Sequence, residues 1–187
     1  MSNVYGARSL AVRETLHPHL RNIFDAVLFR HDHALERGAR SPVEQQEALR
    51  TGHSQKRGIN ADGTVADYPH APRDMDGKPD PSGLSWAADA WPWVKGKRLE
   101  APDVPEIIRR VPAGDAAAYV KKALLGYMQF AYFIRLVLGV AEDYFRADEI
   151  TTGEHWRLKS GSDWNMDGDI TDTGFLDAPH FNLVREK

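Results

Sequence analysis

The sequence predicts an α+β protein in which helices pack on a small, mainly antiparallel sheet. A nearly continuous apolar stretch between Asp115 and about Phe145 has the length of one long helix. Short apolar or alternating segments, which are typical of strands, lie near Ala34, Ala87, Arg157 and Phe181. With 187 residues and 42% hydrophobic composition, the chain can bury one core but is short for two. We therefore predict a single domain that spans residues 1–187.

The N-terminal part of the chain contributes two helices and a strand to this prediction. Apolar residues recur at helical spacing after Ser9, namely Leu10, Leu16, Leu20, Ile23, Phe24 and Val27. They predict one helix. The following segment, HDHALERGARS, indicates a strand that ends in a turn at Gly38. Ser41 and Pro42 then predict the start of a second helix, since Ser is a favoured N-cap and Pro a favoured first helical residue.

The span from about residue 56 to 81 differs from the rest of the chain because it is rich in Gly, Pro and Asp. Connections longer than about 12–15 residues are uncommon in compact domains and are usually functional or disordered. We therefore predict that this span is an insertion into the domain.

Composition excludes several classes of function. Lys and Arg number 24 against 27 for Asp and Glu, a net charge of −3 that gives no electrostatic reason to expect a nucleic-acid partner. The chain has no cysteine, so a metal would need His and carboxylate ligands. The N-terminus lacks the apolar run of a signal peptide. The apolar stretch 123–141 carries Arg135 near its middle, which favours a buried core helix over a membrane span.

A calcium-like loop occurs near the C-terminus. Asp163, Asn165, Asp167 and Asp169 place side-chain oxygens at every second position, and Gly168 permits the sharp turn between them. Position twelve of such a loop is Gly174 here, where an acidic ligand is expected, so Asp172 or Asp177 would have to supply the missing carboxylate. An Asp-rich turn without a metal is the alternative interpretation.

A second group of polar residues points to a different metal. Asp177 lies three residues before His180, and apolar Phe181 and Leu183 follow, which suggests a carboxylate and an imidazole at the start of a strand. Asp89 lies in an apolar, aromatic segment, and a buried acid needs a partner. A metal would be such a partner, although an Asp near a surface His is common without one.

Several short motifs together resemble one family. In chain order they are Leu16-His17-Pro18, the Gly38-x-Arg40-Ser41 turn, Glu44-Gln45-Gln46, Asp89-Ala90-Trp91-Pro92-Trp93 with Gly96-Lys97, Ser162-Asp163-Trp164, and Asp177-Ala178-Pro179-His180-Phe181. Their order and spacing resemble the zinc peptidases that cut bacterial cell-wall peptides, a family that includes VanY-type D,D-carboxypeptidases and phage endolysins acting as L-alanyl-D-glutamate peptidases. The resemblance runs nearly from end to end and implies the zinc D-Ala-D-Ala peptidase-like fold.

The resemblance also implies a chemistry, namely zinc-assisted hydrolysis of the stem peptides of peptidoglycan. By position, it makes Asp89 and His180 zinc ligands and Asp177 the general base. Arg40 would hold a substrate carboxylate or carbonyl, because its planar guanidinium suits that task. Some phage members of the family carry a calcium loop in the corresponding place, which agrees with Asp163 to Asp172.

The sequence departs from the family at the first zinc ligand. The family has a His seven residues before the ligand Asp, and that position is Ser82 here. Serine is a poor zinc ligand, and two protein ligands bind zinc much more weakly than three. His70 in the predicted insertion, or His53 before it, could supply the missing ligand by folding back.

Two main hypotheses about function follow. The first is an active phage-type cell-wall hydrolase, made in the host cytoplasm without a signal peptide and acting at the cell wall or carried in the virion. The second is an inactive peptidase-fold component of a phage tail or baseplate, which contacts peptidoglycan, other virion proteins or further copies of itself. A calcium-binding module without any connection to the cell wall is a third, more distant interpretation.

Overall fold

The computed structural model describes residues 3–51, 58–59, 61, 63, 66–80, 82–99, 116–161 and 179–186, with the side chains of the last helix described from residue 128 onwards. The described residues form four helices: α1 (Ala7–Glu14), α2 (Pro18–Leu28), α3 (Pro42–Arg50) and α4 (Ala116–Thr152). They also form seven strands: β1 (His33–Arg37), β2 (Pro72–Arg73), β3 (Leu84–Ser85), β4 (Ala87–Val94), β5 (Lys97–Arg98), β6 (His155–Ser160) and β7 (His180–Glu186).

Four of these strands make the main sheet, in the order β1-β4-β7-β6, and every neighbouring pair is antiparallel. Strand β5 extends β4 as a short hairpin, and β2 pairs with β3 as a separate two-stranded unit. The four strands of the main sheet contain the four segments predicted from the sequence. The predicted α+β class is therefore confirmed.

One face of the sheet is covered by α2 and α4. Successive side chains of a strand point to opposite faces, and in β4 Ala88 and Ala90 enter the main core while Asp89 between them points away from it. In β7, Phe181 and Leu183 enter the same core, whereas His180 alternates with them. The apolar pattern of the two central strands thus places Asp89 and His180 together on the face opposite the two helices.

The helix predicted from Ser9 is in fact two helices, α1 and α2, separated at Thr15–His17. The physical reason is Pro18, because a proline disfavours helical conformation in the residue before it and is well suited to the first helical position. His17 caps α2, where its side chain accepts a hydrogen bond from the His19 backbone N–H. Leu10, placed on the apolar face by the sequence pattern, is 47% exposed.

The other two helices begin or end with recognisable signals. Ser41 and Glu44 form a reciprocal capping box at the start of α3, as the Ser-Pro sequence predicted. Helix α4 continues seven residues beyond the predicted end at Phe145, to Thr152, and is followed by Gly153, whose φ of 71° is typical of a helix C-terminus. Among the helices in the described part of the chain, none is long and apolar enough to cross a membrane.

Candidate metal centre

The centre is built on Asp89, in the middle of β4. Its cross-strand partner in β7 is His180, the first residue of that strand. The Nδ1 atom of His180 lies 3.1 Å from Oδ1 of Asp89, and His180 is 2% exposed. The sheet therefore brings together two of the residues that the sequence resemblance assigned to zinc, at the predicted meeting point of their two strands.

His70 completes the group from outside the main sheet. Its Nε2 atom lies 3.1 Å from the same Asp89 Oδ1, and the residue is 5% exposed. The three side chains offer one ligand atom each, and these atoms all lie within 4.8 Å of one another. His70 was one of two candidate substitutes for Ser82. The other candidate, His53, lies outside the described residues.

Several backbone contacts hold His70 in this place. The Arg40 N–H donates to the His70 carbonyl at 3.0 Å, and the Tyr68 hydroxyl donates to the Arg40 carbonyl at 2.7 Å. Two residues further along the chain, β2 begins and pairs with β3, which leads directly into β4. Hydrogen bonds thus hold the segment 68–73 to the turn after β1. Strand pairing holds it to β3, which directly precedes the strand that carries Asp89.

The tautomer of His70 follows from its second contact. Its Nδ1 atom lies 2.8 Å from the Gly38 carbonyl oxygen, which can only accept a hydrogen bond, so Nδ1 carries a proton. In the neutral ring, Nε2 is then a hydrogen-bond acceptor, and so is Oδ1 of Asp89, which it faces. Two such atoms face each other at 3.1 Å only if the imidazole is protonated or a cation lies between them. Histidine metal ligands commonly donate their other N–H to a backbone carbonyl in this way.

The donor set fits zinc. Two imidazoles and one carboxylate are ligands that zinc accepts, and tetrahedral coordination at about 2.0–2.2 Å places neighbouring ligand atoms about 3.3 Å apart. The two 3.1 Å separations are close to that value. Catalytic zinc sites use three protein ligands and leave the fourth position to water. The Asp89 side chain keeps 20% of its surface exposed, so the group is reachable from solvent.

The charge state of Asp89 also suits a ligand. Burial alone would raise the pKa of this carboxyl, but when the His70 ring is protonated its charge and the hydrogen bonds from His180 and His70 outweigh burial and hold the pKa well below its usual range. Asp89 is therefore ionised at neutral pH, as a carboxylate ligand must be.

Ser82, which the sequence resemblance places at the first ligand position, makes no contact with this group. It is exposed, and its hydroxyl donates to Oδ1 of Asp80 at 2.8 Å. Asp80 also accepts from the Ser82 backbone N–H, which closes a local turn. The side chain is thus occupied with the loop that precedes β3.

Arg40, the predicted substrate-binding residue, lies beside the centre. Its guanidinium donates to Oε1 of Gln45, a buried side chain of α3. Burial and the nearby Arg37 charge lower the pKa of Arg40, while Asp89 acts in the opposite direction. Arg40 is therefore within the electrostatic field of the proposed ligand.

The remaining predicted site residues lie outside the described part of the chain. They are the general base Asp177 and the calcium-loop residues Asp163, Asn165, Asp167, Asp169 and Asp172. Their roles stay predictions.

Sequence reasoning missed three contributors to the site: the Gly38 carbonyl, the Tyr68 hydroxyl and the Gln45 amide. Gly38 was predicted only as a turn residue. A Cβ at this position would lie 2.2 Å from Oγ1 of Thr15, so the close approach of the turn to α1 requires glycine. No local pattern in the sequence indicates that these groups meet.

No protein-family model matches this chain, and no curated protein matches its sequence. Among solved structures, the chain is similar to the L-Ala D-Glu endopeptidase ChiX of Serratia marcescens, with 18% identity and a TM-score of 0.49 over 96% of this chain and 89% of that chain. A likeness at this level does not by itself assign a family or an activity.

Proposed function

We propose that this protein is a zinc-dependent peptidase that hydrolyses the stem peptides of bacterial peptidoglycan. The observation that carries the proposal is the convergence of His70 Nε2 and His180 Nδ1 on one oxygen of Asp89, with the Gly38 carbonyl fixing the His70 tautomer. An ion pair with Asp89 needs only one imidazole. A metal centre needs several ligands, and it commonly fixes the tautomer of a ligating His through a backbone carbonyl.

In this proposal His70, Asp89 and His180 hold the zinc ion. When bound, zinc would polarise the scissile carbonyl and lower the pKa of water. Asp177, three residues before His180 in the sequence, would take the proton of the attacking water and deliver it to the amine as the C–N bond breaks. Arg40 would donate to the carbonyl oxygen or to a substrate carboxylate, since Gln45 orients its guanidinium.

The substrate class rests on the sequence motifs that resemble cell-wall peptidases. With it we propose a phage-type enzyme that acts at the cell wall or in the virion, and that carries calcium in the loop from Asp163 to Asp172. Ser82 is one of the sequence features that favour the inactive alternative, a peptidase-fold virion component. The contacts of His70 supply what Ser82 lacks, so the observations favour the enzyme.

Two measurements test the proposal together. Zinc is quantified by elemental analysis after purification without chelator, and hydrolysis is followed as the turbidity loss of permeabilised Gram-negative cells and by chromatography of released peptides. We expect about one zinc per chain, loss of both zinc and hydrolysis in His70→Ala, and loss of hydrolysis with zinc retained in Asp177→Ala.

His155→Ala is the matched control. His155 is exposed and pairs only with a surface carboxylate, Glu149, in the described structure, so its removal should change neither readout. Absence of both zinc and hydrolysis in the wild type would reject the enzyme in favour of the inactive virion component.

A further inference from the structure

A β-bulge in β1 turns Arg37 towards the face of the sheet that carries Asp89. The register of β1 and β4 pairs Leu35 with Ala90 and then, after a shift, Arg37 with Asp89. In a regular strand residues 35 and 37 would point to the same face, and Leu35 is fully buried in the core. Bulges often re-aim a side chain next to a functional site. Arg37, Asp89 and His180 thus form a row across three strands.

Arg37 and Arg40 line a groove of about 890 Å³ between α1, the end of β1 and α3. Gly38 lies between the two arginines in the sequence and also lines this groove. Its carbonyl accepts the hydrogen bond from His70 Nδ1. The groove therefore adjoins the proposed metal centre at Gly38 and at Arg40, whose backbone N–H donates to the His70 carbonyl.

The carboxylates of the groove already have partners. Glu36 pairs with Arg98 at 2.9 Å. Glu44 accepts from the Ser41 N–H at 2.8 Å in the capping box. Glu47 accepts from Arg50 at 2.7 Å. Glu36 and Glu47 are thus paired with arginines outside the pair Arg37 and Arg40, whereas Glu44 keeps its charge and lies within the field of both Arg40 and Arg37.

Neither guanidinium group forms an ion pair with a residue in the described ranges, although both act electrostatically on Glu44. Arg40 donates to a neutral amide, that of Gln45. Arg37 is exposed, and its side chain makes no hydrogen bond or ion pair with any residue in the described ranges. The charge of Arg37 is also one of the causes that lower the pKa of Arg40, after burial. Two guanidinium groups close together beside a groove offer planar donors of the kind that suit an anion, and a carboxylate in particular.

We propose that Arg37 binds a carboxylate of the peptide substrate in this groove and so determines specificity for substrates that carry a free carboxylate close to the scissile bond. The inference rests on the proposed peptidase function and assigns it a specificity residue that the sequence motifs do not. Arg40 also contacts the carboxylate. Arg37, which is exposed and re-aimed by the bulge, distinguishes substrates that carry this carboxylate from those that do not.

Two peptide pairs test the proposal. The first pair is L-Ala-γ-D-Glu-L-Lys and its D-isoglutamine counterpart, in which an amide replaces the α-carboxylate. The second pair is the same peptide with a free or an amidated C-terminus. Binding is measured by calorimetry on the protein as purified, and cleavage is followed in the same samples, for wild type, Arg37→Gln, Arg37→Lys and the control Arg30→Gln. Arg30 is an exposed arginine that does not line this groove.

For at least one pair we expect the wild type to prefer the carboxylate form by roughly 10- to 100-fold, the range of a charge-assisted hydrogen bond. Arg37→Gln should bring this ratio close to one by weakening only the carboxylate form, and zinc content should not change. Arg37→Lys should restore part of the preference, and Arg30→Gln should behave as wild type.

The two proposals fail in different ways. A preference for the carboxylate that survives in Arg37→Gln, or its absence from both pairs in the wild type, overturns the role of Arg37 even when the peptides are cut. An Arg37-dependent preference in binding without any cleavage supports the anion site and rejects the peptidase.

Discussion

Asp89 and His180 are cross-strand partners in β4 and β7, and the Nδ1 atom of His180 lies 3.1 Å from the Asp89 oxygen that His70 also approaches. The pairing of the two strands alone positions Asp89 and His180, because strand register fixes both side chains on one face. It does not position His70. Its position depends on a loop that must order itself around Gly38 and Arg40. The centre thus combines a rigid half with a half that is fastened by hydrogen bonds.

The rigid half is tested by Asp89→Asn, which removes the carboxylate that both imidazoles approach. Loss of a supporting partner of a ligand weakens metal binding about 10- to 100-fold, and loss of a ligand itself should exceed this. We expect zinc affinity to fall by more than roughly 100-fold in competition with a chromophoric chelator. Asp143→Asn, an exposed position on α4, is the control. Zinc binding that survives in Asp89→Asn would show that the metal is held elsewhere.

The fastened half is tested at Gly38. A Cβ there would lie 2.2 Å from Thr15 Oγ1 and 2.8 Å from a methyl group of Leu16, so Gly38→Ala must move the turn whose carbonyl holds His70. We expect a loss of about 1–3 kcal/mol in the free energy of unfolding, as for other overpacked sites, together with weaker zinc binding.

Gly139→Ala provides the contrast for Gly38→Ala. Gly139 lies within α4, and a Cβ there would meet nothing within 4 Å. Alanine in a helix interior is favoured over glycine by about 0.5–1 kcal/mol, so this variant should be slightly more stable and bind zinc normally. Urea denaturation and chelator competition measure both effects. Equal behaviour of the two variants would contradict the role given to the Gly38 turn.

The sequence predicted the parts of this structure that depend on local patterns. An apolar and aromatic segment located β4, apolar residues around Asn182 located β7, and the Ser41-Pro42 signal located α3. The same patterns missed the break before α2, where Pro18 overrides a continuous apolar stripe.

The candidate site was harder to predict than the fold because its third member comes from a distant loop. Asp89 and His180 follow from family-like motifs and strand register. His70 could be named only as a candidate, because its place depends on contacts with Gly38, Tyr68 and Arg40, and no local pattern encodes such contacts. The alternation of inward and outward residues in a strand likewise does not predict the bulge that re-aims Arg37.

The calcium-like loop makes a separate prediction. If Asp163, Asn165, Asp167 and Asp169 bind calcium in the folded protein, excess calcium stabilises it by mass action, by about 2.7 kcal/mol at a hundred times the dissociation constant. We expect a higher thermal midpoint in calcium than in chelator, and no such shift in Asp167→Ala. Because the proposed zinc ligands are other residues, the shift should persist in His70→Ala. A melting curve that does not respond to calcium would reject the loop as a calcium site.

We expect the stability of the protein in acid to depend on His33, a 3% exposed residue of β1. Its Nδ1 atom lies 3.1 Å from the His31 carbonyl, which can only accept, so Nε2 accepts from the Tyr5 hydroxyl at 2.8 Å. Burial lowers the pKa of His33 to about 4, only partly offset by the His31 carbonyl, and burial likewise lowers the pKa of His17 to about 4.

Protonation of these imidazoles favours the unfolded chain, where their pKa is about 6.5. Their neutral forms therefore stabilise the fold fully above pH 6.5, and this stability is lost as the pH falls from 6.5 towards 4. For His33 the total is roughly 3 kcal/mol, at about 1.4 kcal/mol for each pKa unit. The urea midpoint should decrease steadily between pH 7 and pH 4.5. His33→Gln keeps a polar group near Tyr5 but cannot titrate, so its midpoint should decrease less over the same interval. An identical pH dependence in the two proteins would show that His33 is not held neutral by the fold.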